Sequence, residues 1–171
     1  MIAIIDYDAG NIRSVEKALL ALGQDVTVTA DRDEILHADK VILPGVGAFG
    51  DAMEKLKQSG LDEVIREVIE KGTPFLGICL GLQLLFEHSD EAPGVEGLGI
   101  LKGEILRIPD KEGYKIPHMG WNSLHLENDG RLFKGIAENS YVYFVHSYYL
   151  KAEGTDCQGI NRVYNTYPCV C

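Results

Sequence analysis

The sequence predicts an α/β fold, an open parallel sheet with helices on both faces, continued by an antiparallel extension. Three observations carry this prediction. Short apolar runs alternate with amphipathic segments through the first half of the chain in the order β-α-β-α-β-α-β-α. From about residue 100 strands follow one another with no helix between them. Glycine-rich turns follow the third and fourth strands, at the edge where sheets of this type bind ligands.

The elements can be justified in order. Ile2-Ala3-Ile4-Ile5 is a continuous apolar run of buried-strand type, and Asp6 to Asn11 is the polar loop after it. Val15, Ala18, Leu19 and Leu22 keep helical spacing, with Asn11 as a start and Gly23 as a left-handed stop. Asp25 to Thr29 alternates as a strand, Asp33 to His37 is a short helical turn, and Lys40 to Leu43 is a second buried strand type. Asp51 caps a helix running through Met53 and Leu56. After Gly60, residues Leu61, Val64, Ile65, Val68 and Ile69 share one helical face, ended by Gly72 and Pro74. Pro74 to Leu76 leads into the fourth strand, and Leu82 to Phe86 reads as the helix after it. The later strands are expected over Ile100 to Ile108, Trp121 to Leu126 and Tyr141 to Val145.

Composition bounds the function. A chain of 171 residues that is 46% hydrophobic and 25% charged suits one globular domain with a sizeable core, expected over residues 1–155. A net charge of −10 argues against nucleic acid or an anionic membrane as partner. No apolar run is long enough to span a bilayer, and Met1 to Asp6 lacks the basic region of a signal peptide, so a cytoplasmic location is expected. In that compartment Cys79, Cys157, Cys169 and Cys171 are expected as free thiols. No cofactor is expected. Nor is a metal, because Cys157, Cys169 and Cys171 lack the paired C-x2-C pattern of structural zinc sites.

The chemistry centres on Gly77-Ile78-Cys79-Leu80-Gly81, between an apolar run and an amphipathic one. This pattern reads as a nucleophile elbow, a sharp strand-to-helix turn that exposes the central side chain while glycines on either side keep neighbouring atoms clear. A cysteine there proposes sulfur attack on a carbonyl. Such attack places negative charge on the carbonyl oxygen, which backbone N–H groups must meet. Gly45, Val46 and Gly47, in the turn Pro44-Gly45-Val46-Gly47, and the N–H of Leu80 are the candidate oxyanion donors. Taken alone, each motif also reads as an ordinary glycine turn or a buried cysteine.

Pro44 to Phe49 together with Gly77 to Gln83 resemble the class I (triad) glutamine amidotransferases. Three further segments, Ile5 to Asn11, Pro117-His118-Met119-Gly120-Trp121-Asn122 and Phe144 to Tyr149, resemble the branch that supplies ammonia to imidazole glycerol phosphate synthases. The resemblance runs from residue 1 to about 155. It implies a flavodoxin-like sheet and a reaction in which Cys79 attacks the side-chain amide of glutamine, releases ammonia and leaves a thioester for water to hydrolyse. It further implies that Gln83, Ser147 and Tyr148 contact glutamine. Residues 117–122 would face a (β/α)8-barrel synthase subunit, forming a heterodimer that receives the ammonia and makes imidazole glycerol phosphate on the histidine pathway.

One part of the family pattern is missing. The family draws its base and orienting carboxylate from a His-x-Glu motif close to the C-terminus, whereas no histidine follows His146 here. Residues 156–171 match no element the fold requires and are expected to be a disordered tail, the product of truncation or frame shift. Weak glutaminase activity and reduced stability follow as expectations, with His118 or His146 as substitute bases. Three other readings stay open: the glutaminase of pyridoxal phosphate synthase, another cysteine hydrolase of similar build, and a docking subunit whose cysteine is unused.

Overall fold

The computed structural model describes the chain except for residues 113–114, 127–130, 153–159, 164–166 and 171. It contains two compact units, Met1–Leu101 and Lys102–Cys171. The boundary falls where the sequence changes from alternating helices and strands to strands alone. Half of the tail expected to be disordered, residues 156–159, 164–166 and 171, lies outside the described residues, whereas residues 160–163 and 167–170 form strands.

The first unit is built on four parallel strands, β1 (Ile2–Ile5), β2 (Val26–Thr29), β3 (Lys40–Gly45) and β4 (Phe75–Cys79), in the order β2-β1-β3-β4. Alternation along β1 explains why its sequence is apolar throughout. Ala3 and Ile5 belong to the cluster formed with Val41, Leu43, Phe49, Met53, Leu56, Val64 and Ile65, while Ile2 and Ile4 join Ile42 against Ile12, Val15 and Leu19. Both faces are therefore covered, and each fully buried aliphatic side chain contributes about 1.5–3 kcal/mol.

The helices are α1 (Ile12–Ala21), α2 (Arg32–Leu36), α3 (Phe49–Ser59), α4 (Leu61–Glu70) and α5 (Leu80–Gln83). Helix α4 buries Leu61, Val64, Ile65 and Val68, the face its spacing predicts. Gly60, in the left-handed conformation at φ 71°, ends α3 and begins α4.

Several boundaries differ from the sequence reading. Asp51 does not cap α3: the N-cap is Ala48, and Asp51 lies in the first turn, where its charge still suits the helix dipole. Asn11 is the N-cap of α1, but its side chain makes no capping bond. Asp31 is the residue that caps by side chain, accepting from the Glu34 N–H at 3.0 Å. Leu22 lies beyond α1 and is exposed, because Ile12, Val15 and Leu19 form the face that meets the sheet. The helix expected at 82–86 begins earlier and closes after one turn, at Gln83. Strand β5 (His88–Ser89) follows it.

In the second unit β6 (Gly103–Arg107) starts later than expected, since the Ile100 and Leu101 N–H groups both donate to the Leu85 carbonyl. The strand expected over 121–126 is two strands, β7 (His118–Ser123) and β8 (His125–Leu126). Leu124 breaks them by turning into a small core with Phe133 and Phe144, its N–H donating to Ser140. Strand β9 (Tyr141–His146) pairs antiparallel with β7, and β10 (Tyr148–Ala152) pairs antiparallel with β6. Strands β11 (Ile160–Val163) and β12 (Tyr167–Val170) pair with each other, and β11 also pairs with β8. Sequence periodicity did not anticipate these last two strands.

Candidate active site at the Cys79 elbow

Cys79 ends β4 and is the N-cap of α5, with φ 55° and ψ −116°. Few side-chain-bearing residues adopt this conformation, and backbone of this kind persists only where its surroundings hold it. Three glycines do so. A Cβ on Gly81 would stand 2.0 Å from the Leu43 carbonyl oxygen, one on Gly45 2.4 Å from the Gly81 nitrogen, and one on Gly77 2.6 Å from the Leu82 Cα. The strand ends and the short helix thus meet backbone to backbone, leaving the Cys79 side chain exposed as a free thiol. In the β3–β4 register Gly45 is the partner of Cys79.

The turn beyond Gly45 carries the other expected donors. Val46 is exposed, and Gly47 is held at φ 101°, which glycine adopts without strain. Leu80 is the first residue of α5, so its N–H has no acceptor within the helix. Gln83, half-buried, is the last residue of that helix. These sequence-derived candidates, Gly45, Val46, Gly47, Cys79, Leu80 and Gln83, all lie at the carboxyl edge of β3 and β4.

Two residues at this edge were not singled out from sequence. The buried Tyr7 hydroxyl donates to the Pro44 carbonyl at 2.9 Å, and a Glu91 carboxylate oxygen accepts the Phe49 N–H at 2.9 Å. Burial, and secondarily the charge of Cys79, push the Tyr7 hydroxyl up to about 12, so it remains a proton donor at neutral pH. The loop holding Tyr7 is itself pinned: Asp8, at φ 59°, receives Lys55 Nζ on its carbonyl and, at 2.9 Å, on its carboxylate. A groove of about 490 Å³ opens between this loop and the turn, lined by Asp6, Gly10, Val46, Gly47, Asp51 and Lys55 among others. Cys79 is not part of its lining.

The remaining candidates belong to the second unit. Ser147 lies between β9 and β10, its carbonyl accepting the Ile108 N–H at 2.9 Å, and Tyr148 opens β10 opposite Arg107. Pro117, joined to Ile116 by a cis peptide bond, immediately precedes β7. Alternation then divides the β7–β9 ribbon. Met119 pairs with Val145 and Trp121 with Tyr143, and these four side chains, with Tyr141, form an exposed apolar face.

His118, Asn122 and His146 occupy the other face, where hydrogen bonds fix the tautomers. The Tyr148 carbonyl can only accept, so His146 Nδ1, 2.9 Å away, carries a proton. In the neutral ring Nε2 then accepts from His118 Nδ1 at 3.1 Å, and His118 Nε2 accepts from the Asn122 amide at 2.9 Å. Burial, followed by the charge of His146, holds His118 below the usual histidine range. Each ring therefore spends a nitrogen on the other.

Comparison with known proteins fits this geometry. The family model for glutamine amidotransferase class-I matches residues 3–164. The chain is 58% identical over 149 residues to "Imidazole glycerol phosphate synthase subunit HisH" of Bacillus cereus (strain G9842), covering 87% of this chain and 70% of that protein. It is 49% identical over 175 residues to "Imidazole glycerol phosphate synthase subunit HisH 1" of Methanococcus maripaludis, covering 99% of this chain and 85% of the relative. A crystal structure of a glutamine amidotransferase superposes with a TM-score of 0.69 at 19% identity, over 90% of this chain and 76% of that one. Among the described residues no helix is long and apolar enough to cross a membrane.

Proposed function

The chain belongs to the class-I glutamine amidotransferase family, and from that premise we propose that it is the glutaminase subunit of an imidazole glycerol phosphate synthase, acting in histidine biosynthesis. The carrying observation is Cys79 held at φ 55° at the end of β4, with Gly45 directly opposite. The Cys79 sulfur attacks the side-chain amide carbon of glutamine, and the carbonyl π electrons move to oxygen. Donors of the turn at Gly45, Val46 and Gly47, together with the Leu80 N–H, meet that oxygen. Collapse of the tetrahedral species breaks the C–N bond, and ammonia leaves with a proton supplied by a general acid. Water then hydrolyses the glutamyl thioester to glutamate and restores the thiol.

Gln83, Ser147 and Tyr148 are assigned to binding glutamine. The docking surface is residues 117–122 and the apolar face of the β7–β9 ribbon, since exposed Met119, Trp121, Tyr143 and Val145 form the kind of patch that marks a protein interface. Its partner is a (β/α)8-barrel synthase subunit in a heterodimer, which takes the ammonia without releasing it to solvent. A reducing cytoplasm suits the free thiol.

The chain can be mixed with the synthase subunit and supplied with glutamine. Glutamate release by the mixture tests the reading. Release that disappears in Cys79→Ala supports it; release at an undiminished rate in that variant would remove it.

A further inference from the structure

From the last two residues of β3 to the start of α3 the chain runs through Pro44-Gly45-Val46-Gly47-Ala48, and it is tied down at both ends by side chains from elsewhere in the first unit. At the entrance, the Tyr7 hydroxyl donates to the Pro44 carbonyl. At the exit, the Glu91 carboxylate accepts from the Phe49 N–H, the first residue of α3. The exposed Val46 and the left-handed Gly47 stand between these two ties. Neither tie contributes a donor to a reacting oxygen. What they fix is the position of the backbone that does.

We propose that Tyr7 and Glu91 are positioning residues for the oxyanion segment, holding Pro44 and Phe49 so that the intervening N–H groups stand ready beside Cys79. The proposal rests on the glutaminase reading of the site. A hole of this kind works because its donors are already in place when charge develops; donors that must first be gathered lose that advantage. Tyr7 suits the task. It is 4% exposed, it lies just past the end of β1 after Asp6, and the next residue, Asp8, is locked by Lys55. Its hydroxyl stays protonated at any working pH. On the other side, Ser89 Oγ accepts the Glu91 N–H at 3.2 Å and so orients Glu91 itself.

The test uses the full chain assembled with the barrel subunit and compares the wild type with Tyr7→Phe, Glu91→Gln and Glu91→Ala. Glutamate γ-semialdehyde is the probe, since Cys79 adds to its aldehyde carbon to form a hemithioacetal whose oxygen needs the hole. Occupancy is read as protection of Cys79 from iodoacetamide, a reaction that makes no oxyanion. Tyr7→Phe and Glu91→Ala should each weaken the semialdehyde about tenfold, the scale of one lost hydrogen bond, with the unprotected iodoacetamide rate unchanged. Glu91→Gln retains an acceptor oxygen and should stay near the wild type. Hydrogen exchange of a peptide covering 43–49 should quicken in the two weakened variants.

Unaltered semialdehyde affinity in both weakened variants would overturn the proposal. So would an iodoacetamide rate that falls in step, which would place the defect in the elbow. If the wild type shows no protection at all, the glutaminase reading fails instead, and exchange at 43–49 then decides the bracing by itself: unchanged exchange rejects it.

Discussion

Gly81 presses against Leu43 so closely that a Cβ at residue 81 would stand 2.0 Å from the Leu43 carbonyl oxygen. The obstacle is backbone in a central strand, not the end of a flexible side chain. The elbow therefore depends on a hydrogen atom at this position as much as on the sulfur two residues earlier.

Gly81→Ala should be among the most damaging single changes in the first unit. Overpacking at a close backbone contact costs about 3 kcal/mol or more, because β3 or α5 must move to admit the methyl group. Urea denaturation measures this. A midpoint equal to that of the wild type would show that the approach is looser than described.

Cys79 gives a prediction of opposite sign. Its φ of 55° is unfavourable for any residue with a Cβ, so Cys79→Gly should raise stability by about 1 kcal/mol while Cys79→Ala should not. The gain is what remains after the greater entropy of glycine in the unfolded chain. Thermal unfolding of the two variants side by side checks it, and a less stable glycine variant would contradict the strain.

The elbow and most first-unit elements were legible in the sequence because their causes are local. A strand buried on both faces must be apolar at every position, which marks β1 and β3 without reference to anything distant. The spacing of α4 and the glycines flanking Cys79 are equally local signals. What was missed depends on contacts across the chain. Tyr7 sits in a polar loop and gains meaning only through Pro44, 37 residues away. Asp51 reads as the cap of α3 because aspartate favours that position, whereas the actual N-cap, Ala48, has no capping side chain and so leaves no signal in the sequence. The split between β7 and β8 follows from the burial of Leu124, which becomes visible only when Phe133 and Phe144 are packed around it.

The histidine pair predicts a pH dependence. Burial holds the folded-state pKa of His118 below the ordinary histidine value, so as pH falls below about 6.5 the unfolded chain takes up a proton that the folded chain resists. Stability from this group is complete above 6.5, declines as pH falls, and levels off below the folded value. His118→Asn should flatten that part of the stability curve. An identical slope in the variant would assign the dependence to another group.

Trp121 is 66% exposed beside Tyr143, with ring centroids 5.7 Å apart in an edge-on arrangement. Trp121→Ala should leave the melting temperature of the isolated chain nearly unchanged and weaken association with the barrel subunit by about 2 kcal/mol, the scale of an aromatic interface anchor. Calorimetric titration of the two subunits provides the number. Equal affinity in the variant would move the docking surface off this ribbon.

The claim that Cys79 is a nucleophile serving a glutamine site is tested most directly by mass spectrometry after treating the assembled protein with a glutamine-analogue chloroketone. The account predicts one adduct, on Cys79, whose formation slows as glutamine is added. Labelling spread evenly over Cys79, Cys157, Cys169 and Cys171, or labelling of Cys79 indifferent to glutamine, would contradict it.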